Sequence, residues 1–475
     1  MCVRLARNLF KTSDFIQCQK LILAVSGGSD SLALMFLVKE YLETLAFPPE
    51  MIVVTVDHQL RKESMREAET VAEICRAHHI KHIIVRWEGE KPKTHIASSA
   101  RVARYDLLVK EAQKQGASLI MTGHTLNDQV ETYQMRYQRL QKNRGALYSE
   151  AVAMRDEVYA RETRKNIAQK NYSPLYERGL SCIPREALLH RKVRLIRPLL
   201  GVKRQTLRNY LRLQGQTWID DPTNEDRNFE RVRVRQSLSP QKLAYIAQKI
   251  NEAALQRRQQ AKNIADLILA LDITVQHGRC FIAKPALFLQ KHSSFPFVVG
   301  LFAVLMGGGF YLLPNQKLSM LVQKLCLHSS EKQRFTYAGS VIEYNKNGIA
   351  LWREGRNMKE AIVEPDKTFI WDGRYQITNH GSEAIKVGAA NLEQLKFLLK
   401  NSDFEFEKPH FPSLQSLLMI SNDKGHDIPE LISQAVVYKN VIIKRIMAPF
   451  DWLSSREDAA LVNVVEPFFN IEVKR

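Results

Sequence analysis

Between residues 21 and 123, short apolar runs alternate with stretches of helical periodicity. Leu21–Val25, Met51–Val56, His82–Trp87 and Leu119–Thr122 are brief and bounded, as strands buried on both faces are. Between them lie Ser31–Leu42, Ser64–His78 and Ser98–Gln115. The second opens with Ser64-x-x-Glu67, a capping-box pattern. The third stops at Gly116, as helices often do. This β-α-β-α rhythm predicts an α/β fold with a doubly wound parallel sheet and right-handed crossovers. Leu195–Leu200 is expected to return to the sheet edge. From Lys203 to Asp272 the pattern is mostly helical, and Pro240 is placed to start a long helix with Leu243, Ile246, Ile250 and Ala254 near one face. Residues 273–475 read as mixed α and β, with hairpin-like alternation over Phe335–Trp352 around Asn345-Lys346-Asn347-Gly348. The expected domains are therefore 1–200, a catalytic α/β domain; 201–272, a helical domain; and 273–475, a C-terminal α+β region.

Composition narrows the class. The chain has 475 residues, more than one core usually holds. Apolar content of 45% and charged content of 25% are globular, not disordered. Net charge is the unusual quantity: 69 Lys and Arg against 50 Asp and Glu, a formal +19. Arg136–Arg212 holds nineteen of those cations against six acids, so one region carries most of the surplus. Such a surplus suits a polyanionic partner such as nucleic acid, with a soluble basic enzyme as the plainer alternative. None of Cys2, Cys18, Cys75, Cys182, Cys280 and Cys326 forms a C-x-x-C pair. That speaks against zinc, iron–sulfur and disulfide frameworks and for a reducing, cytoplasmic setting. Phe295–Met306 is the most apolar stretch, short of the roughly 18 residues a membrane span needs. The N-terminus lacks a signal-peptide core.

Candidate chemistry begins after the first strand, at Ser26-Gly27-Gly28-Ser29-Asp30-Ser31. Ligands of open α/β sheets bind at the carboxyl ends of strands. Glycines admit close approach of a phosphate, successive N–H groups form an anion nest, and the following helix presents its positive end. Asp30 would repel phosphate unless it meets a bridging Mg²⁺. No Walker A lysine follows. A glycine-rich turn with incidental serines is the plain alternative. The hexapeptide matches the S-G-G-x-D-S signature and so resembles the PP-loop ATP pyrophosphatases. That resemblance implies ATP cleavage between the α and β phosphates and an adenylated substrate.

Further segments sharpen the resemblance. They are Val56–Arg61 with Ser64, Glu67 and Ala68; Ala100–Tyr105; Thr122–Thr132; Arg197–Leu200; and Trp218–Asn224. In order and spacing they closely resemble bacterial tRNA(Ile)-lysidine synthetases over roughly residues 20–240. The resemblance implies that ATP adenylates C2 of the first anticodon cytidine in an isoleucine tRNA with a CAU anticodon. Free L-lysine then displaces AMP, converting codon reading from AUG to AUA. Ser26, Gly27, Gly28, Ser29, Asp30, Ser31, Asp57, His58 and Arg101 would hold ATP, with Asp30 also meeting Mg²⁺. Asp30, Arg104, His124, Asp128 and Glu131 would be catalytic.

The residues suit that chemistry. Arg101 and Arg104, three apart, share a helix face and can stabilise charge developing on phosphate; ordinary surface arginines are the alternative. His124 ends the fourth strand, where it can touch phosphate or move a proton, or simply pack. Asp128 and Glu131, also three apart, suit a lysine ammonium, though acids favour a first helical turn regardless. Asp57 and His58 either line the adenosine site or cap a strand. Asn127 and Gly123 depart from the family pattern, as does a basic stretch of about forty residues, 136–178. With Tyr137, Tyr148, Tyr159 and Tyr172, that stretch reads as either a tRNA-contacting element or a solvated loop. A C-terminal tRNA-binding role extends loosely to 273–475. Oligomeric state stays open, a homodimer included. A PP-loop tRNA thiolase and a non-catalytic tRNA-binding paralogue are the competing functions; the missing C-x-x-C argues against the first, and Asp30, Arg104 and Asp128 against the second.

Overall fold

Leu21, Ile22 and Leu23 are fully buried because successive side chains of their strand enter cores on opposite faces of one sheet. The computed structural model describes residues 2–61, 63–153, 177–220, 226–283, 292–326, 333–345, 347–400, 409–423, 425–431, 440–469 and 472–474. They form two units, the first drawn from 1–170, 178–257 and 452–457, the second mainly from 258–451 and 458–475.

The first unit opens with α1 (Cys2–Leu9) and then alternates β1 (Lys20–Ala24), α2 (Ser29–Leu42), β2 (Glu50–Asp57), α3 (Ser64–Ala77), β3 (Lys81–Arg86), α4 (Ile96–Gln115), β4 (Leu119–Thr122) and α5 (Leu126–Ala153). β5 (Glu186–Leu189) and β6 (Val193–Ile196) follow, then α6 (Arg204–Leu213), α7 (Glu230–Gln236) and α8 (Pro240–Ala270). The seven-stranded sheet runs Leu453–Ser455, β5, β6, β4, β1, β2, β3. Five strands are parallel, β6 through β3, while β5 and Leu453–Ser455 are antiparallel. On one face Leu21, Leu23, Val53 and Met121 pack with Leu34 and Val38 of α2 and Val71 of α3. On the other, Ile22, Ile52, Val54 and Ile120 pack with Tyr105, Leu108 and Ala112 of α4. Each such side chain contributes about 1.5–3 kcal/mol by burial. The α/β, doubly wound class expected from the strand pattern is the class observed.

Four local expectations change. Ser64 does not cap α3: its hydroxyl donates to Asp57 Oδ1 at 2.7 Å, Glu67 pairs with Arg61 at 2.9 Å, and Glu63 is the N-cap without a side-chain bond. β6 is not at the sheet edge, because β5 and then Leu453–Ser455 lie outside it; Pro198–Gly201, the rest of Leu195–Leu200, is a short 3-10 turn. The start of the basic stretch 136–178 is not a loop, since α5 runs on to Ala153. Tyr159 and Tyr172 fall outside the described residues, as do the side chain of Tyr148, residues 221–224 of the Trp218–Asn224 segment, and Lys346. Phe335–Trp352 is more than a hairpin. Gln333–Tyr337, Ser340–Asn345 and Gly348–Arg353 form a meander, extended by Arg279–Ala283 and Ile273–Gln276 into a five-stranded antiparallel sheet.

The second unit adds two four-stranded antiparallel sheets. Its main core gathers Val298, Phe302, Ile342, Leu351, Phe450 and Leu461. The apolar stretch is the helix Phe295–Gly307, buried almost throughout. No described helix is long and apolar enough to cross a membrane.

Candidate active site

At the carboxyl end of β1 the chain turns into α2 through the glycine-rich loop. Gly27 sits at φ +86°, where a Cβ would lie 2.6 Å from Ile219 Cδ1 and 3.2 Å from Val71 Cγ2, so only glycine fits there without strain. The Ser26 N–H donates to Ser31 Oγ (3.1 Å), and that hydroxyl donates to the Gly28 carbonyl (3.0 Å). The Ile219 N–H closes over the loop by donating to the Gly27 carbonyl, 3.0 Å. Its neighbour Trp218 carries the guanidiniums of Arg208 and Arg212, each 5.6 Å from the ring centroid. The first amides of α2 have no intrahelical acceptor, which leaves an anion-binding end beside the loop. Gly123 abuts this turn: a Cβ there would meet the Asp30 carbonyl oxygen at 2.9 Å. The missing side chain lets the β4 end approach the loop.

That approach assembles an acid–arginine cluster. Asp30 Oδ2 accepts from Arg204 Nε at 2.7 Å. Arg204 Nη2 also donates to Asp128 Oδ1 (3.1 Å), and its Nη1 lies 3.8 Å from Glu131 Oε1. Arg231 spans the same two acids, Nη2 to Asp128 Oδ1 at 2.7 Å and Nε to Glu131 Oε2 at 2.6 Å. Arg235 Nε completes the set on Glu131 Oε1 at 2.8 Å. Arg231 and Arg235 are four apart on α7 and share a face. Arg233 points elsewhere, to the Arg227 and Asn228 carbonyls. Asp128 Oδ2 accepts the Thr125 N–H (2.7 Å) and hydroxyl (2.8 Å). Asn127 Oδ1 accepts the Arg204 N–H at 3.0 Å, so the amide positions Arg204.

Burial opposes ionisation of Asp128, but Arg231, Arg204 and the Thr125 bonds outweigh it and hold the carboxyl below its usual range. Asp30 goes the other way: burial pushes its carboxyl up, and Arg204 offsets only part of that.

A second, purely cationic group surrounds Tyr105, which is fully buried. Arg101 and Arg104 sit 5.3 and 5.2 Å from its ring centroid, and Arg197 Nη2 donates to its hydroxyl at 3.1 Å. Burial alone would raise the phenol, yet Arg197, Arg104 and Arg101 together bring it to about 7. Buried Arg104 Nε has no hydrogen-bond partner among the described residues. His124 Nδ1 lies 2.9 Å from Thr122 Oγ1. Burial, then the field of Arg197, Arg104, Arg101 and Arg231, drives its imidazole well below the usual range. His124 is therefore a neutral hydrogen-bonding group.

Asp57 and His58 lie at the end of β2, apart from the acidic cluster. Asp57 Oδ1 accepts the Gln59 N–H (2.9 Å) and the Ser64 hydroxyl (2.7 Å), so it closes the turn. His58 meets Trp87 edge-on at 6.1 Å, and burial followed by Arg104 lowers it to about 4. A cleft of about 420 Å³ opens beside them, lined by Asp57, Gln59, Leu60, Arg61, Ser64, Met65 and Arg86. Among the described residues no three His, Cys, Asp or Glu side chains gather as a metal cage. Mg²⁺ needs only one or two carboxylates beside phosphates and water, and among the described residues Asp30 Oδ1 meets only the Ser29 hydroxyl, at 3.3 Å; the donor set fits a phosphate-borne Mg²⁺.

Residues 2–242 match a family described as the PP-loop domain. A tRNA(Ile)-lysidine synthase from Bartonella tribocorum is 82% identical across all of both chains, and one from Bartonella henselae is 74% identical across all of both. One from Brucella anthropi is 32% identical over 97% of this chain and 96% of its own. The chain belongs to the tRNA(Ile)-lysidine synthase family. Membership makes it a ligase that uses ATP. A U34-tRNA thiolase from Methanococcus maripaludis is 15% identical with a TM-score of 0.38, covering 53% of this chain and 77% of its own; a likeness that slight carries no argument.

Within this family member the structure brings Asp30, Asp128 and Glu131 together, and separately Arg101, Arg104 and His124. Sequence reasoning did not assign roles to Arg204, Arg231, Arg235, Arg197 or Tyr105. The signal available was the i, i+4 pair Arg231/Arg235 and the need of two adjacent buried acids for cations.

Proposed function

We propose that this enzyme joins free L-lysine to C2 of the first anticodon cytidine of an isoleucine tRNA with a CAU anticodon. The observation that carries this reading is the Arg204 bridge, which joins Asp30 of the phosphate loop to the paired acids Asp128 and Glu131. A phosphate site and an ammonium site then share one charge network.

In the first step the cytidine O2 attacks the α-phosphorus, the bond to the β-phosphate oxygen breaks, and pyrophosphate leaves. Ser26–Ser31 and the start of α2 hold the phosphates through N–H groups and hydroxyls. Asp30 would hold Mg²⁺, which would neutralise phosphate charge. Arg101 and Arg104 face the charge that develops at phosphorus, the free Nε of Arg104 adding a donor. Neutral His124 contributes a hydrogen bond. Asp57 and His58 border the adenosine.

In the second step the lysine ε-nitrogen attacks C2, the C2–O bond to AMP breaks, AMP leaves with the electron pair, and the nitrogen loses a proton. Asp128 and Glu131 orient the incoming ammonium. Arg204, Arg231 and Arg235 around it disfavour its charged form, which favours the nucleophilic amine. Residues 1–200, joined by Arg204, Arg231 and Arg235 from 201–272, perform the chemistry, while the rest of 201–272 and 273–475 hold the tRNA in the cytoplasm. The test is incubation of the protein with ATP, radiolabelled lysine and the tRNA transcript, followed by mass spectrometry of the nucleosides. Lysine must appear on cytidine; no incorporation, or sulfur in its place, refutes the reading.

A further inference from the structure

Two aromatic residues follow Glu131 on α5, Tyr133 and Tyr137. Tyr133 packs on the small core of Val130, Leu243, Ile246 and Ile250 that joins α5 to α8. Tyr137 lies parallel to it, centroids 5.9 Å apart and planes 9° apart, with 41% of its surface exposed. On α8, Tyr245 is 62% exposed and carries Lys249 Nζ 5.7 Å from its ring centroid. Leu243 and Ile246, which bracket Tyr245 on α8, share that core with Tyr133, so α8 carries Tyr245 alongside this stretch of α5; burial, then Tyr137, Cys182 and Tyr245, raises the Tyr133 hydroxyl and Lys249 opposes the rise. Arg136 Nη1 bonds the Gly179 carbonyl and Arg139 Nη2 bonds Glu230 Oε2, each at 2.5 Å, bracing this stretch of α5. No acid occurs from Thr132 to Lys142, which includes Arg136, Arg139 and Lys142.

The core needs Tyr133 but not the outward rings. Lys249 also pairs with Glu252 Oε2 at 2.8 Å, an exposed pair; a flat π face with Lys and Arg at hand suits an unpaired nucleic-acid base, which stacks on an aromatic ring while its phosphates meet those cations. Tyr137 lies six residues beyond Glu131, about 9 Å along the helix axis, within reach of a neighbouring nucleotide. We propose that Tyr137 and Tyr245, backed by Tyr133 and flanked by Lys249, form a stacking platform for an unpaired base of the tRNA loop adjacent to the cytidine that is modified.

This rests on the lysine-ligation reading, and the experiment separates the two. The full-length protein is titrated with tRNA carrying 2-aminopurine for the adenine of the CAU anticodon. Binding should quench the fluorescence. The double variant Tyr137→Leu, Tyr245→Leu should lose the quench and bind about tenfold more weakly. Its slope of log affinity against log salt should stay unchanged, because no cation is removed. The double variant Tyr137→Phe, Tyr245→Phe should keep both quench and affinity. Wild-type behaviour of the leucine variant, or equal damage from phenylalanine, overturns the platform. Lysine incorporation by the unaltered protein is measured alongside: its absence overturns the functional reading, whereas incorporation with an indifferent platform overturns only the platform.

Discussion

Replacing Arg204 with glutamine removes the guanidinium that joins the two halves of the proposed reaction. Asp128 and Glu131 keep Arg231 and Arg235, but Asp30 loses the one arginine bonded to it among the described residues. The Arg204 and Asp30 side chains are 18% and 17% exposed, so solvent replaces the lost bond poorly. A hydrogen bond to a charged group contributes about 1.5–3 kcal/mol. With 1.36 kcal/mol per tenfold in rate, the variant should lose roughly 10- to 100-fold where Asp30 is not fully ionised. The sign follows from the site. Burial already raises the Asp30 carboxyl, and Arg204 opposes that rise. Without Arg204 the carboxyl rises further, so activity that needs the carboxylate begins at higher pH. The assay is single-turnover lysidine formation at saturating ATP and lysine across the acid limb of the pH profile. The limb should move to higher pH, with rate recovering as pH rises. Arg204→Lys keeps a cation but not the planar fork and should fall between. An acid limb that stays in place while the rate drops uniformly refutes the idea that Arg204 holds Asp30.

Asp30→Ala should abolish tRNA-dependent ATP–pyrophosphate exchange while tRNA binding persists; unchanged exchange removes Asp30 from the mechanism. Gly27→Ala forces a side chain into a left-handed conformation costing about 1–2 kcal/mol and drives it against Ile219. Its KM for ATP should rise with little change in tRNA affinity, and an unchanged KM counts against the loop as the phosphate site. Tyr105 titrates near 7 in the fold against 10.0 normally, so the folded state binds fewer protons and stability climbs with pH across that window. Tyr105→Phe should flatten that climb and abolish an ultraviolet tyrosinate transition near neutral pH. Leu37→Ala empties a fully buried position under the sheet and should cost about 2–5 kcal/mol, read as a lower urea midpoint for the first unit.

The sequence by itself determined the sheet and the loop. Strands buried on both faces must be continuous apolar runs, so Leu21–Val25, Met51–Val56 and Leu119–Thr122 marked themselves, and with them the strand ends where ligands bind. The glycines of Ser26–Ser31 were legible because their backbone requirement is local. Tertiary structure decided the rest. Ser64 looks like a helix cap but its hydroxyl serves the turn after β2, bonding Asp57 Oδ1 at 2.7 Å. β6 becomes an interior strand because Leu453–Ser455 and β5 cover its side of the sheet. Arg204 stands 174 residues from Asp30 and 76 from Asp128, and Arg231 stands 103 from Asp128. No sequence period links them. Acids buried together must be matched by cations wherever the fold can bring them, and burial, reinforced by the convergence of arginines from the β6 end, α4 and α7, leaves His124 neutral. Position at a strand end is written locally; the charge state there belongs to the assembled fold.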